Sequence, residues 1–213
     1  MISENNDPSK HPATLLAKDL IRCPSIAPND AGAQFLLRKR LETKGFDVTA
    51  VDVDGVLNTW ACYGTEGPLM VFAVHADVVP SGDANDWTSP PFEPEIREGK
   101  LFGRGAADMK GPLSAAFIAV EQFLIKQKKP MPLRIGFIIA GDEEPVNNHG
   151  TQDVLDYLKK EKIKEIKSIY DLPKLRPFQQ YRNIFPKNKK PNILLVGFVS
   201  EVAKNYLEKV KVK

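Results

Sequence analysis

Two apolar segments, residues 69–74 and 133–140, constrain the fold of this chain more than any other feature of its sequence. Apolar runs of this length are typical of β-strands that are buried on both faces. Segments with the apolar spacing of helices lie before, between and after them, and such alternation favours an α/β sandwich. We therefore predict an α/β fold, a three-layer sandwich with a mainly parallel central sheet.

The remaining elements follow from periodicity and from helix start and stop signals. Helices are predicted at residues 12–22, from Asp30 to Gly45, from Pro112 onward and at Thr151–Lys160, and further strands at 46–51 and 57–63. In the second helix the spacing indicates an apolar face made of Phe35, Leu36, Leu37 and Leu41. After residue 160 the pattern weakens, with a candidate strand at 193–199 and a short amphipathic helix at 200–210.

The composition is that of a soluble globular domain, with 42% hydrophobic and 27% charged residues among 213. Cys23 and Cys62 are too few for a disulfide framework, and we predict buried thiols in a reducing compartment. Residues 1–7 lack the basic and apolar regions of a signal peptide, and no apolar run reaches the ~18 residues of a membrane span. We expect a cytoplasmic protein without a membrane partner.

Charge is distributed unevenly along the chain. Residues 161–213 contain 13 Lys and Arg against 5 Asp and Glu, whereas residues 1–160 contain 17 against 22. A basic segment can bind nucleic acid, but no aromatic-interleaved or zinc-finger pattern accompanies this one. We expect a solvated lysine-rich surface and no nucleic-acid partner. The change in character predicts one domain at residues 1–160 and a basic tail of unknown structure at 161–213.

Polar side chains follow both apolar runs. His75 and Asp77 come directly after the first run, Glu143 and Glu144 come after the second, and Asp108 lies between them in a glycine-rich loop. In α/β sheets, functional loops cluster at the carboxyl ends of the strands. One histidine and several carboxylates suit zinc, and a carboxylate can bridge two ions. This set of residues predicts a metal-assisted hydrolase.

The spacing within each motif indicates a division of labour. One ring nitrogen of His75 can bind a metal while Asp77 holds the other nitrogen and fixes the tautomer. The adjacent carboxylates of Glu143 and Glu144 repel each other unless a cation or a proton intervenes. We predict that one of them binds metal and that the other acts as a general base toward the attacking water. The loop at 103–111 lacks the Gly-Lys-Ser/Thr ending of a phosphate-binding loop.

Five motifs carry a family resemblance. They are DVVPSGD at 77–83, WTSPPF at 87–92, GRGAADMKG at 103–111, GDEE at 141–144 and, more loosely, NHGT at 148–151. With these motifs, residues 12–160 resemble the front half of the catalytic domain of the succinyl-diaminopimelate desuccinylase family, which groups with acetylornithine deacetylases, aminoacylases and di-zinc carboxypeptidases. The resemblance implies a zinc-hydrolase core. It also implies hydrolysis of an N-succinyl amide to succinate and diaminopimelate, a step of lysine and diaminopimelate biosynthesis.

The resemblance also implies a role for each candidate residue. His75 ligates one zinc ion, Asp108 bridges two zinc ions and Glu144 ligates the second. Asp77 orients His75, and Glu143 is the general acid and base. The implied cofactor is therefore a pair of Zn²⁺ ions, with Co²⁺ as a substitute, and the implied partner is a small N-acyl diamino acid substrate.

Three features of the family have no clear counterpart in this sequence. A further Glu ligand is expected after the helix at Thr151, where this chain has Asp171 in a different setting. A late His ligand is expected as well, but no histidine follows His149. The dimerisation domain of this homodimeric family is not recognisable either. We therefore expect a core that is incomplete at its C-terminal side and little desuccinylase activity from this chain alone.

Two alternative functions stay open on the sequence. The first is a related deacylase, such as an acetylornithine deacetylase, which only a substrate panel separates from a desuccinylase. The second is an inactive metal-binding remnant, or an interaction module that uses its basic tail. Stoichiometric zinc binding without amide hydrolysis would favour this last class.

Overall fold

A five-stranded sheet forms the centre of the molecule. The computed structural model of the chain describes residues 7–127, 133–144 and 149–161, and the backbone of 193–197. Its strands are β1 (Asp47–Ala50), β2 (Thr59–Tyr63), β3 (Leu69–His75), β4 (Glu95–Arg97), β5 (Lys100–Phe102), β6 (Arg134–Ala140) and β7 (Ile193–Gly197). Its helices are α1 (Pro12–Ile21), α2 (Ala33–Thr43), α3 (Gly111–Lys126) and α4 (Thr151–Lys160). Strands β4 and β5 form a separate hairpin, and the other five strands make up the central sheet.

The strand order in the central sheet is β1-β2-β6-β3-β7. Strands β6, β3 and β7 are parallel, and β2 is antiparallel to both of its neighbours. Strand β1 consequently runs in the same direction as the three parallel strands, and β2 alone among the described strands of this sheet opposes them. The predicted α/β fold with a mainly parallel central sheet is confirmed.

Helices cover both faces of the sheet. Strand β6 contributes side chains to the apolar cores on both faces of the sheet, because successive side chains of a strand point to opposite faces. On one face Leu20, Leu37 and Phe117, from α1, α2 and α3, share an apolar core with Ile135, Phe137 and Ile139 of β6. On the other face Val154, Leu155 and Leu158 of α4 pack with Trp60, Leu69 and Ile138. The result is a three-layer arrangement.

Local signals define where the helices begin. Pro12 occupies the first position of α1, where its missing N–H costs nothing, and the Nδ1 of His11 accepts from the N–H of Ala13 at 3.2 Å. Before α2, the carboxylate of Asp30 accepts from the N–H groups of Gly32 and Gln34, at 2.9 and 2.8 Å. These bonds satisfy backbone donors that a helix start leaves open.

The predicted helices and strands within the described residues are confirmed, including the strand in 193–199, whereas the helix at 200–210 lies outside the described residues. The apolar face predicted for α2 was wrong at one position. Phe35 is 69% exposed, while Leu37 and Leu41 are buried. A helix in a sandwich buries a single stripe, and Phe35 lies beside that stripe rather than on it.

Both cysteines are free thiols of intermediate exposure, so they are less buried than predicted. Burial nevertheless raises the pKa of both thiols, which keeps them protonated near neutral pH. None of the helices in the described parts of the chain has the length and apolar character needed to cross a membrane.

Candidate metal centre

The parallel pairing of β3 with β6 brings two of the predicted motifs together. In this register His75 lies opposite Ala140, so both strands end at the same edge of the sheet. The N–H of Ala76 donates to the carbonyl of Ala140 at 2.9 Å and extends the pairing by one residue. Asp77 therefore emerges beside the turn that carries Glu143 and Glu144.

The turn Ala106–Lys110 brings Asp108 to the same edge. It begins at Gly105, whose φ of +80° favours glycine, and it runs directly into α3. Two contacts join the turn to the end of β3. The sulfur of Met109 accepts from the N–H of His75 at 3.3 Å, and a carboxylate oxygen of Asp108 lies 3.1 Å from the Nε2 of His75.

Three side chains converge at this point. One ligand atom each from His75, Asp108 and Glu144 lies within 4.8 Å of the other two. His75 is buried, Asp108 is exposed and Glu144 is half-buried, so the cluster extends from the protein interior to the surface. No second group of three or more such side chains with this spacing occurs among the described residues.

Asp77 is buried behind this cluster and holds two parts of it. Its Oδ2 accepts from the backbone N–H groups of Glu143 and Glu144, both at 3.0 Å. Its Oδ1 has no hydrogen-bond partner and lies 3.5 Å from the Nδ1 of His75, while its main-chain oxygen lies 3.2 Å from that nitrogen. A proton on Nδ1 is thus favoured, which leaves Nε2 as the nitrogen that faces Asp108.

Glu143 lies next to the three converging side chains without belonging to that group. Its Oε2 is 3.9 Å from the Nε2 of His75, and its side chain is one-fifth exposed. A carboxylate at this distance can reach a small molecule held by the neighbouring side chains. Of the two adjacent glutamates, therefore, Glu144 belongs to the converging group and Glu143 lies beside it.

The electrostatics of the cluster favour a bound cation. Burial by itself lowers the pKa of His75, but the Asp77 carboxylate, with Glu143 and Asp108, outweighs it and raises the pKa to about 9. Burial raises the pKa of Glu144, and the carboxylates of Asp108, Asp77 and Glu143 raise it further against the lowering effect of His75. Both shifts favour the protonated forms at a place where several carboxylates are concentrated, and a divalent ion could fill that place.

The donor set fits a divalent metal ion. Imidazole nitrogens and carboxylate oxygens are both donors that Zn²⁺ accepts in proteins, and carboxylate oxygens also suit harder ions. The buried Oδ1 of Asp77 has no hydrogen-bond partner and lies 3.5 Å from the other ring nitrogen of His75, a place from which a carboxylate can orient a metal-binding histidine. All five side chains predicted for the site thus lie together at one edge of the sheet.

Two buried residues of this region were not singled out from the sequence. Lys110 is fully buried, and burial lowers its pKa to about 8. Asp142 is buried too, and burial together with the Asp77 carboxylate raises its pKa. The lysine in the glycine-rich segment before α3 was the available signal, but lysine is usually exposed, so sequence alone gives no reason to bury it.

Curated relatives resemble the first part of the chain. A succinyl-diaminopimelate desuccinylase from Coxiella burnetii is 48% identical to it over 149 residues, which is 70% of this chain and 40% of the relative. The chain therefore spans less than half the length of the curated relatives that it matches.

Solved structures share the fold. Human carnosine dipeptidase 1 superposes with a TM-score of 0.62 at 25% identity, over 75% of this chain and 38% of its own. An M20 family metallo-carboxypeptidase from Sulfolobus solfataricus superposes with a TM-score of 0.63 at 22% identity, over 74% of this chain and 36% of its own. The second likeness is one of fold alone.

A family model covers the strands and turns that build the candidate site. The model of peptidase family M20/M25/M40 matches residues 71–179, a range that begins within β3 and includes Asp108 and both glutamates. The family resemblance inferred from the sequence motifs is confirmed. This chain belongs to the peptidase family M20/M25/M40.

Proposed function

We propose that this chain carries the metal-binding and proton-transfer part of an amide hydrolase. The observation that supports this most directly is the convergence of His75, Asp108 and Glu144 within 4.8 Å, with Glu143 beside them. The ion that we propose is Zn²⁺, with Co²⁺ as a substitute. We further propose that Asp108 is shared between two ions, because its carboxylate is exposed and the motif resembles that of di-zinc hydrolases.

Each residue has a chemical task in this proposal. A divalent ion, when bound, acts as a Lewis acid that polarises the amide carbonyl and makes water more acidic. Glu143 takes the proton from the attacking water and returns it to the amine that leaves. Asp77 keeps the Nδ1 proton of His75 in place and fixes the turn that presents both glutamates.

The substrate class that we propose is a small N-acyl diamino acid, with N-succinyl-diaminopimelate first. Hydrolysis would give succinate and diaminopimelate, in the cytoplasm and as part of lysine biosynthesis. The identity of 48% to a succinyl-diaminopimelate desuccinylase supports this choice. A related deacylase acting on N-acetylornithine is the alternative, since the same metal centre and base would cleave either amide.

The division of the chain at residue 160, into a catalytic domain and a basic tail, stays a prediction.

A hydrolysis assay with added Zn²⁺ tests the proposal. N-succinyl-diaminopimelate and N-acetylornithine are compared for the wild-type chain, for Glu143→Gln and for Glu66→Gln, an exposed glutamate outside the site. We expect little turnover from this chain alone. Whatever turnover the wild type shows should fall about 10²–10⁴-fold in Glu143→Gln, which retains its metal but lacks the general base. Glu66→Gln should match the wild type.

Three outcomes would contradict parts of the proposal. Loss of metal together with activity in Glu143→Gln would mean that the two glutamates have exchanged roles. Faster cleavage of N-acetylornithine would favour the deacetylase alternative. Stoichiometric zinc without cleavage of any amide in the panel would favour the inactive metal-binding class.

A further inference from the structure

Lys110 is one of the largest fully buried side chains of the described residues, and its surroundings are unusual for a lysine. Its Nζ donates to the main-chain oxygens of Leu20 and Cys23, at 2.9 and 2.7 Å. Leu20 lies in the last turn of α1 and Cys23 lies two residues after its end, where the helix dipole favours a positive charge. In the described parts of the chain, no carboxylate lies within ion-pair distance of this Nζ.

The fold makes room for this side chain. At Gly105 a Cβ atom would lie 2.6 Å from Cγ1 of Val78 and 3.2 Å from Cδ of Lys110. The N–H of Lys110 also donates to the carbonyl of Gly105 at 2.8 Å, which closes the turn around the lysine stem. At the other end of the residue, the hydroxyl of Ser114 donates to the carbonyl of Lys110 at 2.6 Å.

Burying an ammonium group is costly, and hydrogen bonds to carbonyls offset only part of that cost. An apolar side chain of similar length would fill the same space with less desolvation. Stability of the core is therefore a poor explanation for a lysine at this position. What the lysine supplies instead is directional bonding between the turn and the end of α1.

Asp108 needs such support from its neighbours. Its own side chain is 77% exposed, and His75 is its contact within the cluster. Two buried residues follow it directly: Met109, whose sulfur accepts from the N–H of His75, and then Lys110. The exposed carboxylate is therefore held by a backbone that is fixed at β3 through Met109 and at α1 through Lys110.

We propose that Lys110 is a positioning residue for Asp108: by bonding the turn to the end of α1, it sets the distance between the Asp108 carboxylate and the other metal ligands. This inference rests on the proposed metal centre and deepens it. Residues that hold metal ligands from behind typically change metal affinity by about 10–100-fold when they are altered.

The test is the affinity for Co²⁺ alone, followed by its visible absorption, together with the far-UV circular dichroism of the metal-free chain. We expect Lys110→Met, which keeps the length of the stem but not the donors, to weaken Co²⁺ binding by about tenfold or more. Lys100→Met is the matched control, because Lys100 is exposed on β5 and lies outside the turn. It should bind Co²⁺ as the wild type does.

A double-mutant cycle with Asp108→Ala separates positioning from general destabilisation. If Lys110 acts through Asp108, then Lys110→Met should change Co²⁺ affinity by less than about twofold once Asp108 is absent. An equally large effect in both backgrounds would overturn the proposal, as would wild-type affinity in Lys110→Met.

If Lys110→Met does not fold, Lys110→Gln takes its place in the same measurements. Glutamine keeps N–H donors on a shorter stem. We therefore expect its affinity for Co²⁺ to lie between that of the wild type and that of a chain without the hydrogen bonds from residue 110 to α1. Unchanged affinity in a folded Lys110→Gln would overturn the proposal in that case. A wild-type chain that binds no Co²⁺ would instead overturn the metal centre itself, and the positioning role with it.

Discussion

At the scale of single residues, Asp77 joins the two halves of the site. Its Oδ2 accepts two backbone N–H groups, of Glu143 and Glu144, and its Oδ1 faces the ring of His75. We expect Asp77→Ala to lower the free energy of unfolding by ~2–4 kcal/mol, because it leaves two partly buried donors unpaired. Asp77→Asn keeps an acceptor oxygen for them and should lose less than half as much. Urea denaturation measures both.

The exposed Asp86→Ala serves as the control in that series and should leave stability unchanged. Equal losses of unfolding free energy for Asp77→Ala and Asp77→Asn would contradict the prediction. They would show that the hydrogen bonds from the N–H groups of Glu143 and Glu144 to Asp77 do not stabilise the fold.

Protonation of His75 gives the site a pH dependence. Its pKa of about 9 lies above the ordinary value of 6.5, so protonation stabilises the metal-free fold fully below pH 6.5, and this contribution is lost as the pH rises through about 9. A metal ion needs the neutral imidazole. We therefore expect the affinity for Zn²⁺ to rise with pH across this range, with release of about one proton per ion near pH 7.5.

Calorimetric titration in two buffers of different protonation enthalpy measures that release. His149→Ala, at a histidine outside the cluster, should release protons as the wild type does. Zinc binding at pH 7.5 without any proton release would contradict the assignment of His75 as a ligand.

The sequence predicted the chemistry-bearing residues better than the residues that support them. Four of the predicted site residues come at or just after the end of an apolar strand, and the sequence shows where such a strand ends. They are His75, Asp77, Glu143 and Glu144. The role of Lys110 depends on carbonyls about 90 positions away, so no local spacing could indicate it.

At the scale of elements, a partly buried ion pair joins α2 to α3. Glu121 accepts from the Nε and Nη2 of Arg40, at 2.6 and 2.9 Å, and its side chain is only 11% exposed. We expect Glu121→Ala to destabilise the chain by ~1.5–3 kcal/mol in urea denaturation, because bidentate charged hydrogen bonds shielded from water are lost.

The pair of Asp19 with Arg22 on α1 is a natural control for this prediction. Its N–O distance is 2.9 Å, but both side chains are more than half exposed. Such a surface pair contributes about 0–1 kcal/mol, so Asp19→Ala should have little effect. Equal losses of stability for Glu121→Ala and Asp19→Ala would mean that the packing of α2 against α3 does not depend on the ion pair of Glu121 with Arg40.

Element type was predictable because apolar periodicity is a strong signal in long segments, and α1, α3 and β3 match it closely. The exact buried face of α2 could not be predicted, because its apolar residues include the consecutive Phe35, Leu36 and Leu37. Neighbouring apolar residues cannot all point inward on a helix, and only the packed neighbours decide which of them do.

At the scale of the whole molecule, the order β1-β2-β6-β3-β7 places β3 and β6 side by side although more than fifty residues separate them. That order determines which motifs meet, and it is beyond what periodicity can predict, because each strand signal is local. The three-layer architecture was predictable, since strands buried on both faces require helices on both sides. Strand β7, from residues 193–197, pairs with β3 and adds to the same sheet.

The most direct test of this account is the metal content of the purified chain after equilibrium dialysis against Zn²⁺. The wild type is compared with a His75→Ala, Asp108→Ala double variant, and with a His149→Ala, Asp153→Ala control that removes a second histidine–carboxylate pair, 3.5 Å apart. We expect the wild type and the control to retain zinc and the double variant to lose it. Equal zinc content in the wild type and the His75→Ala, Asp108→Ala variant would contradict the existence of this metal centre.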